Sequence, residues 1–214
     1  MTDVEKYIVE RSNEILNAND AKLAKRLLGG MSNYTYVVES EGQKYTFRVP
    51  GKHAEAFVNR DDELECLNAI KPLGLNNETI YFDTISGDKM ARYVEGTILS
   101  DTDIVSYNDV SVNALKKLHE SSVLLRDYDP FYDIACYGNA GLDKALSLLE
   151  AYVGHEPTAE ELRRLYYHRA FQCLQWYNVA IYKDKVGLSE ELKMDFAKVA
   201  HFFMGGAKDL LSKC

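Results

Sequence analysis

The 214 residues are 46% hydrophobic, 27% charged and 11% aromatic, with a formal net charge of −8. That balance excludes intrinsic disorder, and 33 acids against 25 bases exclude a nucleic-acid partner. No stretch approaches the roughly 18 unbroken apolar residues of a membrane span.

Met1–Glu14 carries Asp3, Glu5, Lys6, Glu10 and Arg11 and so does not read as a signal peptide. Over 3–18, Val4, Tyr7, Ile8, Ile15 and Leu16 recur at helical spacing, which predicts an amphipathic lead-in helix. Lys22–Leu28 reads as a strand or a helix end and runs into Gly29-Gly30. Tyr34, Tyr36 and Val38 alternate, Glu41-Gly42 makes a turn, and Tyr45, Phe47 and Val49 alternate again, predicting a β-hairpin. Pro50-Gly51 closes it. A helix follows over about 60–71 with Leu64, Leu67 and Ile70 on its inner side, stopped by Pro72 and Gly74. Segments 79–83 and 89–94 form a second hairpin around Ser86-Gly87-Asp88, and strand pattern ends near Gly96.

Beyond it the pattern is helical, over about 103–120, 139–153, 158–186 and 189–212. Gly205-Gly206 reads as a break in the last of these. The expected fold is α+β, with a strand-rich lobe over 1–96 and a helical lobe over 97–214. The cysteines Cys66, Cys136, Cys173 and Cys214 are scattered without a C-x-x-C pair. They read as the reduced thiols of a cytoplasmic protein, not as zinc ligands or a disulfide frame.

Three features of the first half combine. Glycines in Gly29-Gly30-Met31-Ser32-Asn33 let backbone N–H groups approach a phosphate, and Ser32 and Asn33 add polar donors, although any tight hairpin uses Gly-Gly. Strand alternation puts Arg48 on the face opposite Tyr45, Phe47 and Val49. Helical spacing aligns Glu63 with Leu67 and Ile70, on the core side, where a carboxylate requires a cation. Arg48 is the suitable partner. A glycine turn, a strand cation and a helix acid in this order describe a kinase nucleotide lobe, in which the acid holds the cation and the cation holds phosphate.

Leu28-Gly29-Gly30-Met31-Ser32-Asn33, Tyr45-Thr46-Phe47-Arg48-Val49-Pro50-Gly51-Lys52 and Asn59-Arg60-x-x-Glu63 resemble the bacterial choline/ethanolamine kinases. These are the LicA-like branch of the aminoglycoside phosphotransferase and protein-kinase-like superfamily. The resemblance continues through Ala91-Arg92-Tyr93-Val94-Glu95-Gly96, which resembles the interlobe hinge where Tyr93 and Val94 meet adenine, and through Leu115-x-x-Leu118-His119-Glu120-Ser121. Asp129-Pro130-x-x-Asp133-Ile134-Ala135, Glu150-Ala151-Tyr152 and Pro157-Thr158-x-Glu160-Glu161 extend it over nearly the whole chain. It implies an antiparallel N-lobe, a helical C-lobe, ATP as cofactor with magnesium, and phosphotransfer to choline or ethanolamine. Trp176 matches an aromatic position of the choline pocket, where a ring face attracts quaternary ammonium. The second Trp common in the family is replaced by Val179, and a core Trp is the competing reading.

The chain departs from the family at its chemistry. The family's H-x-D-x-x-x-x-N loop supplies the base and a metal ligand, and its D-[FW]-E supplies another. None of the five histidines begins H-x-D, and the one Asp-Phe, Asp195-Phe196, lacks the Glu. Asp129–Ala135 matches two separate family segments at once, as an in-frame loss of several dozen residues between similar stretches produces. Asp127, Asp129 and Asp133 imitate a metal cluster but read as surface acids near a loop. No catalytic or metal residue is therefore assigned. An inactive kinase relative is expected, or alternatively a pseudokinase-like nucleotide- or choline-binding regulatory module. A homodimer or domain swap is the expected repair of the shortened lobe.

Overall fold

The computed structural model describes residues 1–27, 33–97, 102–121 and 129–214. The chain divides into two compact units, Met1–Gly96 and Thr97–Cys214.

The first unit begins with α1 (Asp3–Leu16), entered through a capping box in which Thr2 and Glu5 satisfy each other's backbone N–H. A five-stranded antiparallel sheet follows, in the order β1-β2-β3-β5-β4. Its strands are β1 (Lys22–Leu27), β2 (Asn33–Ser40), β3 (Gln43–Pro50), β4 (Thr79–Phe82) and β5 (Lys89–Arg92). Lys22–Leu27 is thus a strand. Glu41 and Gly42 both take positive φ, 49° and 73°, the geometry that matches a two-residue hairpin turn to strand twist. α1 covers one sheet face, where Ile8, Ala21, Tyr36, Val38, Tyr45, Phe47 and Met90 form the core. Arg11 donates to the Tyr81 hydroxyl at 2.6 Å, fixing α1 across β4.

α2 (Arg60–Ile70) is capped by Asn59, whose Oδ1 accepts from Asp61 and Asp62 N–H. Its first turn carries Asp61, Asp62 and Glu63, where the helix dipole favours acids. Leu64, Leu67 and Ile70 are each half-buried, and no residue of α2 is fully buried.

The second unit is helical: α3 (Asn108–His119), α4 (Pro130–Tyr137), α5 (Leu142–Val153), α6 (Ala159–Lys185), α7 (Leu188–Glu191) and α8 (Phe196–Leu211). The 27-residue α6 is its spine. Leu165 joins a core with Val112, Phe131, Ile134, Leu148 and Leu149. Further along, Ala170 and Cys173 meet Ala207 and Leu210, and Ala180 meets Leu188, Phe196 and Ala200.

Three expectations are corrected here. The helix over 189–212 is two helices: Lys193 takes φ 51°, leaving the helical region, and Asp195 restarts the chain by capping Lys198 N–H at 2.9 Å. Gly205-Gly206 does not break α8, which runs through both. A Cβ at Gly206 would lie 3.5 Å from Cys173 Sγ, so a small residue there lets α8 seat against α6. The third is α4, which sequence periodicity did not separate, although Asp129 caps it and Pro130 occupies its first position.

Candidate functional site

Arg48 and Glu63 meet as expected. Register places Arg48 opposite Thr35 of β2 and Lys89 of β5, on the face turned away from Phe47. Glu63, one turn into α2, takes Arg48 with both oxygens: Nη1 pairs with Oε1, and Nη2 reaches Oε2 at 3.3 Å. Arg60 Nη1 adds a bond to Oε2 at 2.6 Å. Burial alone pushes the Glu63 carboxyl up, but the hydrogen bonds and charges of Arg48 and Arg60 outweigh it and hold the group below its ordinary range. Glu63 is therefore a fixed anion gripping two guanidinium groups.

The turn between β4 and β5 closes the other side. Arg48 Nη2 donates to the Gly87 carbonyl at 3.0 Å. Gly87 has φ +77°, and a Cβ there would lie 2.6 Å from Pro50 Cγ and 2.9 Å from Arg60 Nε. Only glycine permits both that backbone conformation and that approach. The turn is held by Asp83, whose carboxylate accepts from Ile85 N–H and the Ser86 hydroxyl, both at 2.9 Å.

With Glu63 and Gly87 engaged, donors are left over. Arg48 Nε and Arg60 Nη2 are buried without an acceptor among the described residues, and so is the acceptor Asn33 Oδ1. Lys89 adds a third cation. Burial pulls its ammonium below the ordinary lysine range, the Arg48 charge pulls it further, and Glu63 offsets this in part. Unpaired buried donors and adjacent cations are costly alone and fit an anion such as phosphate.

Of the other predicted positions, Gly29, Gly30, Met31 and Ser32 lie outside the described residues, as does Asp127. Asn33 opens β2 opposite Pro50. Tyr93 and Val94 follow β5. Tyr93 N–H is bonded to the Lys44 carbonyl at 3.1 Å, and its ring lies under Lys25 and Lys44. Val94 is 66% exposed.

In the second unit Trp176 is half-buried and stacks on Phe203, with ring centroids 6.2 Å apart and planes at 21°. One of its faces is thus occupied by a neighbouring ring. The acids are engaged in packing: Asp129 bonds Arg164 at 2.8 Å and His168 at 2.9 Å besides capping α4. Asp133 meets His119, whose other ring nitrogen lies 2.8 Å from the Tyr152 hydroxyl. Among the described residues no group of three or more His, Cys, Asp or Glu could hold a metal ion.

The sequence reading found Arg48 and Glu63 and missed Arg60, Gly87 and Lys89 as members of one cluster. Arg60 was legible as the residue one helical turn before Glu63. Lys89 was not, because its place depends on β5, and not the next strand β4, lying beside β3.

Two curated relatives match, both Protein LicA of Haemophilus influenzae. One is 32% identical over 111 residues, 50% of this chain and 32% of that protein. The other is 32% identical over 108 residues, 48% of this chain and 40% of its own length. The match therefore spans less than half the length of either relative. No family model matches. The choline kinase LicA of Streptococcus pneumoniae superposes with a TM-score of 0.69 at 18% identity, covering 100% of both chains. A choline/ethanolamine kinase family protein of Mesorhizobium loti gives 0.68 at 17%, covering 96% of this chain and 97% of its own. A LicA in complex with AMP gives 0.67 at 17%, covering 98% and 100%. Along nearly all its length the chain has the protein-kinase-like fold of these choline/ethanolamine kinase structures, and over half of it its sequence is similar to Protein LicA.

Proposed function

We propose that the chain is a nucleotide-binding protein of choline/ethanolamine kinase descent that has lost phosphotransfer. The observation that carries this reading is the Arg48–Glu63 pair, with Arg48 Nε buried and without an acceptor among the described residues. Glu63 and the Gly87 carbonyl fix the guanidinium, which aims its remaining N–H at a phosphate oxygen. Asn33, two residues before Thr35 on the neighbouring strand, adds a side-chain amide on the same face. Tyr93 N–H is already spent on Lys44, which leaves Val94 to meet the adenine edge. A LicA of similar fold was solved in complex with AMP, which supports a nucleotide as the class of ligand.

The loss of chemistry rests on the sequence. ATP and magnesium supply the reactive phosphoryl group and its charge neutralisation in active relatives. This chain has no H-x-D motif to supply a base for an alcohol proton and no D-[FW]-E motif to supply a metal carboxylate. What remains is binding and orientation. Choline or ethanolamine would have one face of Trp176 at most, since Phe203 covers the other. A thermal-shift panel with ATP, ADP, magnesium and choline tests the reading. ATP and ADP raise the midpoint of the wild type and not of Arg48→Ala, while choline releases no ADP above background. Sustained choline-dependent turnover by pure protein would overturn it.

A further inference from the structure

We propose that Arg48 and Lys89, backed by Arg60, form a polyphosphate subsite in which side-chain cations replace the divalent metal and Lys89 contacts the phosphates directly. The inference deepens the nucleotide-binding reading and rests on it.

The first observation is register. Lys89 stands directly opposite Arg48 on adjacent antiparallel strands, so both side chains leave the same sheet face with Cβ atoms about 5 Å apart. Like charges so placed repel, and partial burial of Lys89 weakens the screening that would relieve them. The second is the charge count. Among the described residues Arg48, Arg60 and Lys89 face a single carboxylate, Glu63, whose oxygens are already divided between the two guanidinium groups. Lys89 has no ion pair among the described residues. The third is that the donors left over, Arg48 Nε and Arg60 Nη2, are buried and lack acceptors among the described residues. The Arg60 side chain is only 10% exposed. A local excess of two positive charges, with donors withheld from water, is complementary to a multiply charged oxyanion. In such a subsite the charge that magnesium neutralises in an active kinase would be met by fixed cations. No bond to the phosphates forms or breaks.

Calorimetric titration of the full chain in EDTA tests this, with ATP, inorganic tripolyphosphate and adenosine as probes against wild type, Lys89→Met and Lys89→Arg. Wild type is expected to bind ATP and tripolyphosphate in EDTA within about twofold of its affinity in magnesium. Lys89→Met is expected to lose roughly tenfold for both, the effect of one charge-assisted hydrogen bond, and Lys89→Arg to retain binding. Lys89→Met removes a repelled cation, so its thermal midpoint should not fall, which separates lost contact from lost fold. Equal ATP affinity in Lys89→Met and wild type overturns the subsite while leaving nucleotide binding intact. So does wild-type binding that vanishes in EDTA. If tripolyphosphate binds through Lys89 but ATP binds no tighter and adenosine does not bind, the subsite stands and the nucleotide reading falls.

Discussion

Tyr7 of α1 donates its hydroxyl to Asp88 at 2.5 Å across 81 positions of sequence, and Asp88 is only 1% exposed. The acid follows Gly87, whose carbonyl holds Arg48, so the lead-in helix steadies the turn that positions the candidate phosphate cation. Tyr7→Phe leaves a buried carboxylate without this donor and should cost about 1–3 kcal/mol of stability. It should also weaken ATP binding severalfold through Arg48, whereas a purely remote packing defect would lower the midpoint alone. Burial first, then the bond to Asp88 and its charge, push the Tyr7 phenol up to about 12 from 10.0. Its folded form thus holds the proton longer than the unfolded chain. The linked stability is complete below pH 10 and lost as pH rises through about 12. An ultraviolet phenolate titration checks this: one late-ionising tyrosine should be absent from Tyr7→Phe.

Glu63 gives the opposite sign. Its folded carboxyl is depressed below the usual 4.5 because the Arg48 and Arg60 bonds and charges outweigh burial. Its stabilisation is present above that value and lost as pH falls through the lower folded one. Thermal midpoints taken between neutral and acid pH should show a wild-type decline below pH 4.5 that is shallower in Glu63→Gln, which keeps the share of the other depressed carboxylates. At neutral pH the variant strands two largely buried guanidinium groups and should be about 2–4 kcal/mol less stable, with nucleotide affinity falling in parallel. An unchanged pH profile would mean that Glu63 is not the anion of this cluster.

How much of this was legible in the chain depends on whether a feature is local. Arg48 and Glu63 each follow from a short period, two for a strand and 3.6 for a helix, so their meeting could be argued before the fold was known. Lys89 needed the β3–β5 pairing, which skips a helix and a strand. The unbroken α8 reflects a tertiary override: glycine's weak helix preference is outweighed where α8 packs closely on Cys173. The break at Lys193 was hidden because a non-glycine residue holds the left-handed turn. α4 has only eight residues, too few for periodicity to separate it from its surroundings.

Gly87 and Gly74 form a matched pair for testing the turn. Both have positive φ, +77° and +61°, but a Cβ at Gly74 meets nothing within 4 Å. Gly74→Ala therefore bears only the left-handed backbone cost, about 1 kcal/mol. Gly87→Ala bears the same cost plus collisions with Pro50 and Arg60, for a total of about 3 kcal/mol. Because the collision displaces Arg60 from Glu63, Gly87→Ala should also weaken tripolyphosphate binding, and Gly74→Ala should not. Equal losses in the two variants would remove the turn from the site.

Asp129 tests whether the acids of the helical unit are structural. Its Oδ1 accepts from Phe131 N–H at 2.9 Å and from Arg164 at 2.8 Å, and its Oδ2 meets His168 Nε2 at 2.9 Å. Arg164 in turn lies 4.0 Å above the Phe131 ring, so the acid ties the start of α4 to α6 over an apolar contact. Burial opposes its charge, but the Phe131 amide, His168 and Arg164 together hold the carboxyl below the usual 3.8. This stabilisation, too, is present above that value and lost as pH falls below it. Asp129→Asn keeps an acceptor for the cap and gives up the charge, while Asp129→Ala loses both. The expected costs are about 1 and about 2–3 kcal/mol respectively. Hydrogen exchange should locate them, with the amides of Phe131–Tyr137 exchanging faster in Asp129→Ala and less disturbed in Asp129→Asn. Divalent cations should not shift the wild-type midpoint through this residue, because every oxygen of Asp129 already has a donor. A magnesium-dependent shift abolished by Asp129→Asn would instead make it a ligand.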